Sequence, residues 1–483
     1  MIKPWYKKIL IPLLFLALCL PQAVFAESSA NEAAESSDLE ILREVLQYLN
    51  DNNIEGVERN EFIENAIRGM VYTLEDPYSD YFTQEELQEF EDQLNQEYVG
   101  IGVLIRFTQG KLYVTEVLEG SPAKSAGLRK GDIIAKVDDH QVTSADDIYL
   151  IHGEENTKVS VTIKRGSSQL SFQITRAHFA LPAVTSRMIS SGDIGYIAIS
   201  TFSDQADEEF AVHLNKLRKL GMKSLVLDLR DNLGGYVESA QNIAKQFIKD
   251  GVLMYTESQN GKPEAIKITN GSSISMPVVI LTNEWTASAS EILTAALRDN
   301  GIAAVVGTQT YGKARIQNIY SLSNGGSLKL TILKYLTPNQ EDFNYIGLEP
   351  DVEVNLSSTA QLIAALHQIG LKNMEVSGNS SELNINNVSF TGYLDVVQEG
   401  SNVYAQSRVL AALVQGKASW ATSTGVLTIT DSSDNKQQFK RSDGSVKILN
   451  DETYIELQEF QKKYPEIEWS YQQGSLKLKA KTG

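Results

Sequence analysis

The sequence is poor in the residues that metals, disulfides and imidazole catalysis need. Its single cysteine, Cys19, lies in an apolar run near the amino terminus. That leaves the rest of the chain with no disulfide, no catalytic cysteine and no cysteine-ligated metal. Histidine is scarce: the five, at 140, 152, 178, 213 and 367, are scattered singly. None stands beside a nucleophilic motif or at metal-ligand spacing, which disfavours a zinc site or a histidine-dependent hydrolase. Basic residues are outnumbered, 43 Lys and Arg against 61 Asp and Glu, for a net charge of −18. Nucleic acid and anionic membrane surfaces are therefore poor partners. With 42% hydrophobic and 22% charged residues the chain is neither collagen-like nor wholly disordered, and 483 residues are too many for one ordinary core.

Long hydrophobic runs are confined to the beginning. Lys3, Lys7 and Lys8 precede an apolar stretch from Ile9 to Leu20, followed by Ala23-Val24-Phe25-Ala26. This is the pattern of a secretory signal peptide over 1–26, cleaved after Ala26. As a helix, the stretch would span about 18 Å, well short of the roughly 30 Å of hydrocarbon, so an uncleaved anchor is the weaker reading. Leu18 before Cys19 argues against lipid attachment. The expected location is outside the cytoplasm, in the cell envelope or secreted.

From 27 to 96 the pattern is helical. Leu39, Leu42, Leu46 and Leu49 recur at helical spacing, a second helix runs from about Asn60 to Leu74, and Asp76-Pro77 breaks it. Thr83-x-x-Glu86 is a capping box that opens a third helix. At Tyr98 the period changes to two, with strands expected at Val99 to Phe107, Lys111 to Val117, Asp132 to Val137 and Val159 to Arg165. Gly100-Ile101-Gly102-Val103, Gly120-Ser121-Pro122-Ala123 and Ala126-Gly127-Leu128 with Gly131-Asp132 resemble a PDZ domain over 97–178. Glycines in such a loop let backbone amides turn toward a peptide's terminal carboxylate while the peptide adds as a strand. Gly100, Ile101, Gly102 and Val103 are the candidate peptide-binding residues, with Ile101 and Val103 expected to line the pocket for the last side chain.

Over 179–376 the texture is α/β. Apolar strands at Gly195 to Phe202, Ser224 to Leu229, Val278 to Thr282 and Ala303 to Val306 alternate with helices near 205–220, 236–249 and 288–299. Such sheets place their chemistry at the carboxyl ends of the strands. A Ser/Asn-rich stretch, 377–389, reads as a linker to a module over 390–483. There an internal repeat pairs Tyr404 to Thr430 with Tyr454 to Lys479, each with a Tyr, a short helix, a Trp (Trp420, Trp469) and a closing strand. The pair resembles the stalk repeats at the amino end of copper amine oxidases; lacking histidine, it implies no copper. A chain ending near Ser377 is expected to keep peptidase activity.

The strongest chemical signal follows the strand at Val278: Thr286-Ala287-Ser288-Ala289-Ser290-Glu291 leads straight into a helix. Ser/Thr followed by Glu caps any helix. Capping alone does not call for a run of small residues that leaves the Ser288 hydroxyl at a positive helix end. Downstream come Tyr311-Gly312-Lys313 and Gln317, and if Ala314 to Ile319 is a strand, Lys313 and Gln317 share a face. A serine needs a base, and with no suitable histidine a neutral lysine can serve.

These segments, with Asp228-Leu229-Arg230-Asp231-Asn232-Leu233-Gly234-Gly235, Asp76-Pro77-Tyr78-Ser79 and Gly347-Leu348-Glu349-Pro350-Asp351-Val352, closely resemble the carboxyl-terminal processing peptidases from about residue 60 to Val354. The resemblance implies a multidomain α+β protein: a helical amino-terminal unit, a PDZ β-domain, an α/β core of ClpP/crotonase-like type and the small α+β repeat module. It implies a serine endopeptidase with Ser288 as nucleophile, Lys313 as general base, Gln317 holding the lysine, and an oxyanion hole from the N–H groups of Ala289 and of Gly234 or Gly235. No metal, cofactor, nucleotide or nucleic acid is implied. The expected partners are proteins with free carboxyl termini and a second copy in a homodimer. The chain departs from the family at Leu233, where Pro is usual, at Ala314, where Gly is usual, and at His152, where an arginine is usual. Two rivals fit less well. Gly307-x-x-x-x-Gly312-Lys313 spells most of a P-loop, but Ala314 replaces the Ser or Thr that binds Mg²⁺. A non-catalytic PDZ scaffold would not need both Ser288 and Lys313.

Overall fold

The computed structural model describes residues 39–108, 110–189, 193–259, 261–355 and 357–481, so the expected export signal and the spacer after it lie outside the described residues. Among the described residues no helix is long and apolar enough to cross a membrane. The chain divides into two compact units, 1–81 and 82–483.

In the first unit a helix over 39–52 is followed by Arg59–Tyr72. The helical stripe stays exposed, Leu39 at 57% and Leu42 at 56%. Asp76 closes the turn after the second helix by accepting from the Tyr78 N–H at 3.2 Å and the Ser79 hydroxyl at 2.5 Å. That pairing explains the Asp-Pro-Tyr-Ser motif as an Asx-type turn.

The larger unit begins with the helix Gln84–Leu94, whose capping box is formed as expected: Thr83 Oγ1 accepts from Glu86 N–H at 3.2 Å and the Glu86 carboxylate accepts from Thr83 N–H at 2.8 Å. The PDZ sheet runs Val103–Thr108, Lys111–Val117, Ile133–Val137, Lys158–Arg165, Ser168–Thr175, all antiparallel. The single strand expected from Val99 is two, Glu97–Gly100 and Val103–Thr108, the first pairing with Ala177–Ala180. The chain breaks where Gly102 takes φ +76°, so close to Ser121 that an added Cβ would lie 2.3 Å from the Ser121 Cβ. The helix Pro122–Ala126 starts at Ser121, which accepts from Lys124 N–H, and ends at Gly127 with φ +95°. Next to His152, Arg176 bonds the carbonyls of Leu150 and Ile151 at 3.0 and 2.9 Å.

The core sheet has the parallel order Ile194–Ile199, Ser224–Asp228, Val278–Thr282, Ala303–Gly307, Val352–Glu353, with Val184–Ile189 antiparallel on its first edge. Alternate residues serve opposite faces, as the strand period requires. Leu225, Leu227 and Ile280 pack with the helices Ala206–Lys219, Val237–Ala244 and Ala289–Asp299. Val226, Leu281 and Val306 pack with the helix Ser358–Gln368 and the carboxyl-terminal strands. A second sheet, not evident in the sequence, joins Arg315–Ser321, Ser327–Leu336, Gly251–Glu257 and Pro263–Ile268.

The carboxyl-terminal region departs from the expected linker-plus-module. Residues 377–389 are largely strand: Asn373–Asn379, Glu382–Ile385 and Val388–Phe390 form one antiparallel run. Met374, Val376, Leu383 and Ile385 are buried while their polar neighbours face out, so the Ser/Asn richness is the outer half of a period-two pattern. A helix followed by a hairpin occurs at Ser358–Ile385, again at Ser407–Thr430 and again at Leu457–Lys481, one unit more than the sequence repeat reveals. The last strand, Ser475–Lys481, pairs back onto Asn373–Asn379.

Candidate active site

Val278–Thr282 is buried along its whole length and delivers the chain to the carboxyl edge of the sheet. The turn that follows is fixed from within. Asn283 N–H donates to Thr286 Oγ1 at 3.0 Å, and the fully buried Thr286 hydroxyl donates to the Leu229 carbonyl at 2.8 Å. Ser288 then takes φ 57° and ψ −117° at the N-cap of the helix Ala289–Asp299. A non-glycine residue in that region is strained and persists only where its surroundings hold it. Here they do: Ser288 N–H donates to Glu291 Oε2 at 2.8 Å, and its carbonyl accepts from the N–H groups of Glu291 and Ile292 at 2.8 and 2.9 Å.

Glu291 is the residue that sequence reasoning undervalued. It is fully buried, and its four hydrogen bonds come from Ser288 N–H, Lys313 N–H at 2.9 Å, Gly312 N–H at 2.8 Å and the Thr310 hydroxyl at 2.5 Å. Burial pushes its carboxyl above the usual range, and the four donors pull partly against that shift. The Ser288-x-x-Glu291 spacing announces a cap; nothing local announces that the same carboxylate grips a loop twenty residues on. Tyr335 makes a second bridge, its hydroxyl lying 2.5 Å from the Lys313 carbonyl and 3.2 Å from that of Ser288. Lys313 and Ser288, both half-buried, are thus tied to the same two side chains.

The glycine loop closes on Ser288 from the neighbouring strand. Gly234 and Gly235 have φ +105° and +139°. A Cβ on Gly234 would sit 2.8 Å from the Ser288 Cβ and 3.0 Å from Ala289 N, and one on Gly235 would sit 2.3 Å from the Phe202 carbonyl oxygen. Both positions therefore require glycine. Of the two glycine donors considered for the oxyanion hole, Gly234 is already committed: its N–H donates to Asn232 Oδ1 at 2.9 Å. Gly235 remains the candidate from this loop, beside Ala289, whose N–H is in the first turn of its helix and has no intrahelical acceptor. Asn232, fully buried, fixes the loop: its Nδ2 donates to the Ile199 carbonyl, and its own carbonyl accepts from Ala287 N–H and the Ser290 hydroxyl, both at 3.0 Å. Below it, burial would raise the Asp228 carboxyl, but the Arg230 guanidinium at 2.5 Å outweighs burial and holds it below the usual range. Arg230 also bonds the Ser358 carbonyl, tying this loop to the first carboxyl-terminal helix.

Lys313 and Gln317 do not share a strand face. The strand starts at Arg315, beyond Lys313, and a bulge between Ile316 and Gln317 breaks the alternation that would put 313 and 317 on one face. Gln317 Nε2 donates to Thr331 Oγ1 at 3.1 Å on the paired strand. That strand, rather than a helix, follows Gly312-Lys313, which removes the phosphate cradle a P-loop needs. Ala314 is fully buried and Leu233 is 65% exposed, so both departures from the family pattern are accommodated. In the PDZ loop, Ile101 corrects an expectation: at 1% exposure its side chain lies in the domain core, and its carbonyl accepts from Ala123 N–H at 2.8 Å, so any peptide contact it makes is through the backbone. Val103 is half-buried beside it.

Comparisons with known proteins find three matching family models and several related chains. The profile of Peptidase family S41 matches residues 193–354, that of a PDZ domain 99–175, and that of the activating protease CtpB N-terminal domain 20–86. The carboxy-terminal processing protease CtpB of Bacillus subtilis (strain 168) is 33% identical over 343 residues, covering 69% of this chain and 70% of that protein. CtpA of the same organism is 31% identical over 345 residues, covering 70% and 73%. Among solved structures, the photosystem II D1 C-terminal processing protease is 30% identical with a TM-score of 0.42, over 65% of this chain and 85% of that one.

Proposed function

The chain belongs to peptidase family S41, among the carboxyl-terminal processing peptidases, and from that premise we propose that Ser288 is its nucleophile and Lys313 its general base. It is a serine-type endopeptidase that carries a PDZ domain. In the proposed reaction the neutral Lys313 amine takes the hydroxyl proton as Ser288 Oγ attacks the substrate carbonyl carbon. The oxyanion is received by the N–H groups of Ala289 and Gly235. The lysine returns its proton to the leaving amine, and a water activated by the same lysine releases the acyl group. Gln317, whose Nε2 donates to Thr331 Oγ1, would hold the lysine through its Oε1, an acceptor that adds no charge to keep the amine protonated.

One observation carries the reading: a single buried carboxylate, Glu291, accepts from the backbone N–H groups of both Ser288 and Lys313. The strained φ of Ser288 at a helix N-terminus adds to it, since such strain collects at functional sites. Substrates are envelope or secreted proteins whose free carboxyl termini are taken at the loop Gly100 to Val103. The exposed stripe at Leu39 and Leu42 supports pairing with a second copy, and the carboxyl-terminal repeats, which resemble the copper amine oxidase stalk repeats, have a packing role rather than a chemical one. The protein acts outside the cytoplasm. Incubation with an unfolded tailed substrate beside Ser288→Ala is the test: turnover by the native protein alone is expected, and equal turnover by the variant would overturn the assignment.

A further inference from the structure

Around Ser288 the usual distribution of polar and apolar residues is inverted. In three neighbouring loops a buried polar residue adjoins an exposed apolar one. Asn232 is fully buried and Leu233 is 65% exposed; Thr286 is fully buried and Trp285 is 53% exposed; Thr310 is 5% exposed and Tyr311 is 50% exposed. The buried members are hydrogen-bonded into the site's frame, as described for Asn232 and Thr286, and Thr310 serves Glu291. Tyr345 and Ile346, 71% and 63% exposed, extend the set. Isolated exposed apolar side chains are ordinary; a group gathered on adjoining loops marks a binding surface.

The loops are physically adjacent. Ala287 N–H donates to the Asn232 carbonyl at 3.0 Å, Tyr311 N–H to the Thr286 carbonyl at 3.0 Å, and Tyr345 N–H to the Gly312 carbonyl at 2.8 Å. Gly234, next to Leu233, is in van der Waals contact range of the nucleophile. The apolar side chains are therefore borne by the same turns that fix Ser288, and the occupant that reaches both is the chain being cut.

We propose that Leu233, Trp285, Tyr311, Tyr345 and Ile346 form an apolar docking surface for the substrate segment flanking the scissile bond. The peptidase then selects extended segments carrying large apolar side chains there, a preference separate from recognition of the terminal carboxylate. This inference rests on Ser288 being the nucleophile.

The test uses two peptides with the same carboxyl-terminal residues, one with Leu and Phe around the cut position and one with Ser and Gly. Affinity for Ser288→Ala is read by fluorescence anisotropy, and the ratio of kcat/KM for the two peptides is read on the active protein. The apolar peptide is expected to bind about tenfold tighter or more, as burial of one or two large side chains gives. Trp285→Ala and Tyr311→Ser should each bring the ratio toward one, Trp285→Phe should keep most of it, and Trp285 emission should shift to the blue only with the apolar peptide. Equal affinities for the two peptides would overturn the proposal. So would unchanged ratios in variants that instead lose self-association, which would assign the surface to a second copy. Failure of the catalytic assignment would look different: no turnover of either peptide by the native protein, with the binding comparison on Ser288→Ala still readable.

Discussion

Glu291 and Lys313 are joined by a hydrogen bond in which the lysine's backbone N–H donates to Oε2 at 2.9 Å, the oxygen that also holds Ser288 N–H. Glu291→Gln keeps the shape but turns an NH₂ toward a site where every neighbour is a donor. An unpaired buried donor costs about 1–3 kcal/mol, so kcat should fall by roughly tenfold or more with little change in KM for a tail peptide. Unchanged kcat would show that the bridge is structural only.

The same carboxyl has a pH signature. Burial raises its pKa, so the folded state disfavours its ionised form. The sign is opposite to that of a salt-bridged acid. Its contribution to stability is fully present below the ordinary glutamate value and is lost as pH rises through the raised folded value. Thermal unfolding of native protein and Glu291→Gln across that window should show a steeper decline with rising pH in the native protein; parallel curves would contradict the assignment.

The two glycines should fail differently. Gly234→Ala sets a methyl against Ser288 Cβ and the Ala287 carbonyl, so activity should drop by about a hundredfold or more, the scale of a disrupted oxyanion site, while the protein still folds. Gly235→Ala drives into the Phe202 carbonyl and should lower the melting temperature sharply as well. Activity assays beside thermal melts of both variants separate the outcomes.

The carboxyl-terminal region is not a detachable module. Val226, Leu281 and Val306 of the core sheet share one apolar cluster with Leu366, Leu410 and Leu478. A chain ending near Ser377 would cut through the strand Asn373–Asn379 and expose that cluster. It should aggregate or melt many degrees lower, contrary to what the sequence repeat suggests. A soluble, active truncation would refute the shared core.

Much of this was legible from residue order. Period-two and helical patterns placed the core strands, the three core helices and the Thr83 capping box, because in each the local signal and the tertiary role coincide. What was hidden depends on distant contacts. Glu291 reads locally as a cap, Tyr335 sits in a sheet whose strands are only partly buried, and the bulge at Ile316 leaves no trace in the sequence. The strands at 373–390 were masked by their polar outer half.

The central claim is tested most directly by the single-turnover rate of a tail peptide against pH, for native protein and Lys313→Arg. A base must give up its proton, and arginine cannot in this range. The account predicts a native rate that rises with pH and an arginine variant slower by about a thousandfold, the middle of the range a positioned base contributes. Cleavage by the arginine variant at a rate near native, with no rising limb, would contradict it and leave Ser288 without its activator.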